Sequence, residues 1–218
     1  MVIIMDVTKK CVLSRREKER LRHREVILEA AKRVFFANGY LSTTMETIAA
    51  EAEFSLATVY KFFGSKENLF MEILLEELER MEGQLDEISN RKEPVRARIC
   101  EYFNARMELF WKNPAMLGLI EDVLMNKSST LTCIDELKNR YMTFLNRLSL
   151  LFSEGISKRE FRDLDEGIMA VAIEGMIHMY IGRLHQNKVT ERNLKDEGCL
   201  LDIFMKGVMS APDGPAAG

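Results

Sequence analysis

Residues 39–70 read GYLSTTMETIAAEAEFSLATVYKFFGSKENLF. Thr43 and Glu46 have capping-box spacing, and Met45, Ile48, Ala49 and Ala52 follow at i, i+3, i+4 and i+7, which predicts a helix of only two turns. Ser55 is positioned to cap a second short helix running through Phe62 and turning Val59 inward. Three residues, Glu53-Phe54-Ser55, separate the two. Short helices joined this tightly form a helix-turn-helix pattern, although a generic helical hairpin shares the spacing. The brevity suits DNA: the second helix must enter a major groove about 12 Å wide while the first crosses the backbone.

The helical pattern continues in both directions. Upstream, a helix is expected from about Glu19 to Ala37, with Val26, Ile27, Ala30, Ala31, Val34 and Phe35 as its apolar stripe and Gly39 as its stop. Downstream, Ser65 caps a start with Glu67 in the first turn. Leu69, Phe70, Ile73, Leu74, Leu78, Met81, Leu85 and Ile88 then sustain a stripe for six turns. Further helices are expected at about 94–112, 114–125, 131–154 (stopped by Gly155), 164–186 and 190–209. Alternating β-branched runs bounded by turns do not occur. The expected fold is all-α with about nine helices: a flexible basic arm (1–18), an N-terminal three-helix DNA-binding domain (19–66), a larger helical domain (67–210) and a disordered tail (211–218).

The 218 residues carry 31 Lys+Arg and 34 Asp+Glu, a formal charge of −3. The distribution is uneven: residues 1–66 sum to +4 and residues 67–218 to −7. A basic head on an acidic body suits a polyanion-binding front end. Cys11, Cys100, Cys133 and Cys199 form no CxxC pair and have no nearby His cluster, so no metal site, cofactor or disulfide framework is expected, and reduced thiols point to the cytoplasm. Val2–Met5 is too short for a signal h-region, and the apolar stretch Met169–Ile181 contains Glu174 and His178, which argues against a membrane span. There is no GxSxG elbow, P-loop or HExxH, and His23, His178 and His185 are isolated, so an enzyme is not expected.

The sequence from Gly39 to Phe70 resembles the TetR family of bacterial transcriptional repressors, with Gly39-Tyr40, Thr43-Thr44, Ile48-Ala49, Ala52, Ser55, Thr58-Val59-Tyr60, Phe63, Ser65-Lys66-Glu67 and Leu69 matching in order. The resemblance implies phosphate contacts from Thr43 and Thr44, groove or phosphate contacts from Ser55, Thr58, Tyr60 and Lys61, and a phosphate contact from Lys66. Val59 and Phe63 match the positions that pack the motif. Three positions depart from the family pattern: Glu53 replaces a Gly in the turn, Phe62 a frequent His, and Lys61 a common aromatic. If the turn needs positive φ, Glu53 costs about 1 kcal/mol. Leu56 and Ala57 leave the recognition helix without Arg, Asn or Gln. Base readout is therefore expected from Lys61, Tyr60 and Thr58, with apolar contact to thymine methyls and DNA shape supplying the rest. The cluster Arg15, Arg16, Lys18, Arg20, Arg22 and Arg24 fits either phosphate or minor-groove contacts or a solvated helix start.

One such motif makes few base contacts, so a homodimer on palindromic double-stranded DNA is expected. The resemblance places the dimer interface on the last two helices, where Gly175, Met176, Met179, Gly182, Leu200 and Phe204 are candidates, and an effector cavity among the central helices. Phe103, Met107, Trp111, Ile120, Tyr141 and Phe144 lie on apolar stripes there, where residues of these types are usually plain core. Arg106, Glu174 and His178 are polar on apolar faces and so demand partners. His178 follows Glu174 by one turn, as a structural pair or as the orienting group of a pocket. The expected partner is an apolar or amphipathic small-molecule effector, since fourteen Met residues can form an adaptable lining. The alternatives are an architectural or protein-partnered DNA-binding regulator without an effector, and a helical adaptor that has lost DNA binding.

Overall fold

The computed structural model describes residues 14–112, 134–187 and 189–210. The described residues contain eight helices: α1 (Arg15–Ser42), α2 (Met45–Glu51), α3 (Leu56–Phe63), α4 (Lys66–Ser89), α5 (Val95–Lys112), α6 (Ile134–Ser157), α7 (Glu166–Gln186) and α8 (Leu194–Val208). Their only β feature is an isolated bridge between Phe161 and Met209. The expected helix at 114–125, the tail and most of the basic arm lie outside the described residues. The chain divides into two compact units between Leu69 and Phe70.

In the first unit, α1 begins earlier than its apolar stripe suggests. Ser14 caps it reciprocally with Glu17: the Glu17 amide donates to Ser14 Oγ at 3.2 Å and the Ser14 amide to Glu17 Oε2 at 2.8 Å. Residues 15–18, expected in a flexible arm, are therefore helical. Ile27, Ala30, Ala31, Val34 and Phe35 are buried, but Val26 is exposed and Leu28 is buried in its place. Gly39 leaves helical geometry at φ 75°, as its position predicts, and the chain then makes one further turn. The α2 cap is one residue later than the spacing suggests. Thr44 and Thr47 form the reciprocal box, because the Thr43 hydroxyl is already committed to the Gly39 carbonyl.

In the second unit, α6 packs along α7, and α5 lies against α6, α7 and α8. Phe103, Phe110, Phe144, Phe152, Ile173 and Ile177 are among its buried residues. Gly155 does not stop α6, which continues to Ser157. A Cβ on Gly155 would lie 2.2 Å from Phe161 Cδ2, so the glycine admits an aromatic ring rather than ending a helix. Arg159, at φ 59°, takes the left-handed position instead. Beyond it, both carboxylate oxygens of Glu160 accept from the Val95 and Arg96 amides at 3.0 Å, capping α5. Arg162 N donates to Val208 O, and Ser210 N to Glu160 O. Helix α7 is long and apolar enough by composition to cross a membrane, with mean hydropathy 1.2. Ile173, Ile177 and Ile181 are buried and Glu174 is ion-paired to α5, the pattern of a core helix.

Candidate nucleic-acid interface and buried polar cluster

Helix α3 is short, capped at both ends and divided sharply between two faces. Ser55 Oγ accepts the Thr58 amide at 3.2 Å and shares a 2.8 Å hydrogen bond with the Thr58 hydroxyl. At the other end Gly64, at φ 75°, donates its amide to Tyr60 O. Val59 and Phe63 are buried, as their packing role requires. Ser55, Ala57, Tyr60 and Lys61 face solvent, while Leu56, Thr58 and Phe62 are half-buried. Glu53, in the turn before α3, has φ 58°, so the position does require the left-handed conformation a glycine adopts freely.

Two candidates for phosphate contact are engaged elsewhere. Thr43 is buried, and its hydroxyl donates to Gly39 O at 2.7 Å with Val34 O 3.4 Å away, so it closes α1 rather than facing a ligand. The Lys66 ammonium donates to Tyr40 O and Thr43 O at 2.9 Å each and sits 4.4 Å from the centre of the Tyr40 ring. It neutralises the carbonyl end of α1, where a cation is stabilising. Thr44 is exposed, with its hydroxyl capping α2.

In the second unit the polar candidates converge on one carboxylate. Arg106 Nε and Nη2 donate to Glu174 Oε1 and Oε2 at 3.2 and 3.3 Å. The Tyr102 hydroxyl donates to Oε1 and the Tyr141 hydroxyl to Oε2. His178 Nε2 is 3.6 Å from Oε2, and its Nδ1 is 3.5 Å from the Tyr141 hydroxyl. Arg106, Glu174 and Tyr102 are at most 1% exposed, so the pair is fully desolvated. Burial pushes the Glu174 carboxyl up, but the Arg106 and His178 charges and the hydrogen bonds from Tyr102 and Arg106 outweigh it and hold the group at about 2. Burial resists the Arg106 charge, yet the facing carboxylate keeps the guanidinium protonated. Burial also lowers His178, against the pull of Glu174, which keeps the imidazole neutral near pH 7. Arg106 Nη1 is buried and has no hydrogen-bond partner among the described residues.

The remaining effector candidates divide. Phe144 stacks on Tyr141 at 5.9 Å, beside the cluster, and Phe103 and Met107 are buried residues of α5. Trp111 belongs to a separate group, donating its indole N–H at 2.7 Å to Glu197 Oε1, which Arg192 also clasps. Ile120 lies outside the described residues. Tyr102 and Glu197 are not singled out by the sequence reading, yet both carry a signal. Tyr102 is one turn before Arg106, and Glu197 falls on the apolar register of Leu201, Phe204 and Val208. An open groove of about 940 Å³ lined by Arg96, Arg159, Phe161 and Arg162 shares no residue with the cluster.

Among the dimer candidates, Met179 is exposed and Gly175, Met176, Gly182 and Leu200 are half-buried. Phe204 is buried within its own unit, packing edge-on against Phe152 at 5.9 Å between ring centres, and offers no surface to a partner.

Residues 27–73 match the family described as bacterial regulatory proteins, tetR family. The chain is 25% identical to the regulator QacR of Staphylococcus aureus over 187 residues, covering 85% of this chain and 97% of QacR. It is 26% identical to the fatty acid metabolism regulator protein of Bacillus subtilis, over 84% of this chain and 93% of that one. The solved structure of the transcriptional regulator FadR from Bacillus subtilis in complex with stearoyl-CoA superposes with a TM-score of 0.73 at 21% identity, over 84% of this chain and 98% of FadR. With the matched motif and the capped recognition helix in agreement, residues 27–73 are a DNA-binding domain of the tetR family, and the chain is a DNA-binding transcriptional regulator similar to TetR-family proteins over most of its length.

Proposed function

We propose that the protein is a cytoplasmic, non-enzymatic repressor that binds a palindromic operator as a homodimer and leaves it when an apolar or amphipathic small molecule enters the second unit. The observation that carries the DNA half is the exposed face of α3, where Ser55, Ala57, Tyr60 and Lys61 stand on a helix whose opposite face is locked by Val59 and Phe63. Lys61, Tyr60 and Thr58 supply polar readout, and Ala57 and Leu56 the contact to thymine methyls.

Dimerisation is supported by the outer face of α7 and α8. Ile168, Val171 and Met179 are large, apolar and more than half exposed, as is Ile203 on α8. Among the described residues nothing lies within 4 Å of where a Cβ on Gly175 would stand, which leaves room there for a close approach. A second copy would cover that stripe and set the two recognition helices about 34 Å apart.

For the effector, the buried Arg106–Glu174 cluster offers a polar anchor among apolar side chains of α5 and α7, with Arg106 Nη1 a donor that has no partner among the described residues. FadR, with stearoyl-CoA bound, shows a relative of this fold holding an amphipathic ligand. Release then requires a coupling free energy of about 1–3 kcal/mol between the two units.

The test is binding-site selection followed by anisotropy on the protein's own promoter. Wild type selects a two-fold-symmetric site, and Lys61→Ala relaxes selectivity. Stearoyl-CoA serves as the first effector probe, expected to weaken DNA binding about 5-fold or more. A monomer in sedimentation analysis, or unchanged selectivity in the Lys61 variant, overturns the corresponding part.

A further inference from the structure

We propose that the first two turns of α1 form a second DNA-contacting element, in which Arg16 and Arg20 grip backbone phosphates flanking the groove that α3 enters. The proposal rests on the DNA-binding reading above and extends it to residues that precede the family match, which begins at residue 27.

Helical register brings Arg16, Arg20, His23 and Ile27 onto one face, at successive offsets of four, three and four residues. Lower on that face, Ile27, Ala31 and Val34 are buried. One turn earlier the face still touches the motif: the His23 ring meets Phe54 edge-on at 5.0 Å, and the Arg24 guanidinium lies 5.3 Å from the Phe63 ring centre. Phe54 immediately precedes the α3 cap and Phe63 ends α3, so α1 is anchored to both ends of the recognition helix.

Arg16 and Arg20 continue that face beyond the anchor. Both are exposed, and no ion pair holds either among the described residues. Glu17, three residues before Arg20, is turned back to the cap, where the Ser14 hydrogen bonds and then the Arg20 charge hold its carboxyl below the usual range. Seven residues of helix separate Arg16 from His23, about 10 Å of rise. That is comparable to the width of a major groove, so the two arginines reach phosphates that α3 does not. The reciprocal Ser14–Glu17 cap keeps this overhang helical instead of letting it fray. Arg15, Lys18 and Arg22 occupy the opposite face and serve as an internal control.

The experiment measures the affinity of the full chain for its promoter duplex from 50 to 200 mM salt. The proteins compared are wild type, Arg16→Ala/Arg20→Ala and Arg15→Ala/Arg22→Ala. Each lost phosphate contact reduces the log–log salt slope by about 0.9, so the first variant should lose about 1.8 and the second much less. Hydroxyl-radical footprints should shorten at the operator flanks only in the first. An unchanged slope and footprint for Arg16→Ala/Arg20→Ala, or an equal loss in the opposite-face variant, overturns the proposal while leaving α3 binding intact. Wild type that fails to bind at any salt overturns the DNA-binding reading and this extension with it.

Discussion

Replacing Glu174 by Gln keeps the side chain's shape and removes the one charge that balances Arg106. In the wild type two oxygens receive four donors, from Tyr102, Tyr141 and two Arg106 nitrogens. Gln offers one carbonyl oxygen and turns an NH2 toward donors, so about half of those hydrogen bonds are lost. Arg106, 1% exposed, is left as a buried charge without its counter-ion. Breaking one side of such a pair costs about 3–5 kcal/mol. For a unit of this size that lowers the melting temperature by about 6–20 °C. The double variant Arg106→Met/Glu174→Leu removes both desolvation penalties and should recover most of the loss. It leaves the Tyr102 hydroxyl buried and unpaired, at about 1–3 kcal/mol, and adding Tyr102→Phe should close that gap. The assay is thermal and urea unfolding followed by circular dichroism at pH 7. A Glu174→Gln loss below about 1 kcal/mol, or a double variant as unstable as the sum of its singles, would refute the reasoning.

Acid should destabilise the protein in two stages. His178 is depressed below its ordinary value, so the unfolded chain takes its proton first and stability begins to fall as pH drops below about 6.5. Glu174 adds a second loss between its unfolded value of about 4.3 and its native value of about 2, and Glu174→Gln should flatten that limb of the pH–stability curve. Glu53→Gly relieves a left-handed residue costing about 1–2 kcal/mol, against about 0.4–1 kcal/mol of added unfolded-state entropy, so the urea midpoint should rise slightly or hold; a loss above 1 kcal/mol would count against a strained turn. Gly155→Ala drives a methyl into the Phe161 ring and should cost about 1–3 kcal/mol, partly recovered by Phe161→Leu in the same background. Unchanged melting would mean the ring moves aside freely.

What the sequence made legible was mainly local. The α3 cap at Ser55, the inward Val59 and the stripe of α4 follow from neighbours within a few residues, the packing of Phe63 and the strain at Glu53 from the family pattern, and the structure agrees. The Glu174–His178 juxtaposition is likewise a one-turn relation on α7. The misses were decided by distant groups. Thr44 caps α2 because Thr43 is drawn to the carbonyls ending α1, and Gly155 lies inside a helix because a ring six residues later must fit against it. Phe204 faces Phe152 rather than a partner chain, a choice between two apolar surroundings that periodicity alone cannot distinguish.

The turn around Glu160 has a consequence for how the chain is made. Its side chain caps the start of α5, its carbonyl receives the amide of Ser210, and Arg162 is bonded to Val208. The early, middle and final parts of the second unit are thus fastened at one knot. During synthesis that knot cannot be tied until α8 has left the ribosome, whereas residues Met1–Leu69 make a compact unit of their own from chain synthesised earlier. The nascent chain therefore has the whole of its recognition-helix unit synthesised while the second unit still lacks one strand of its fastening.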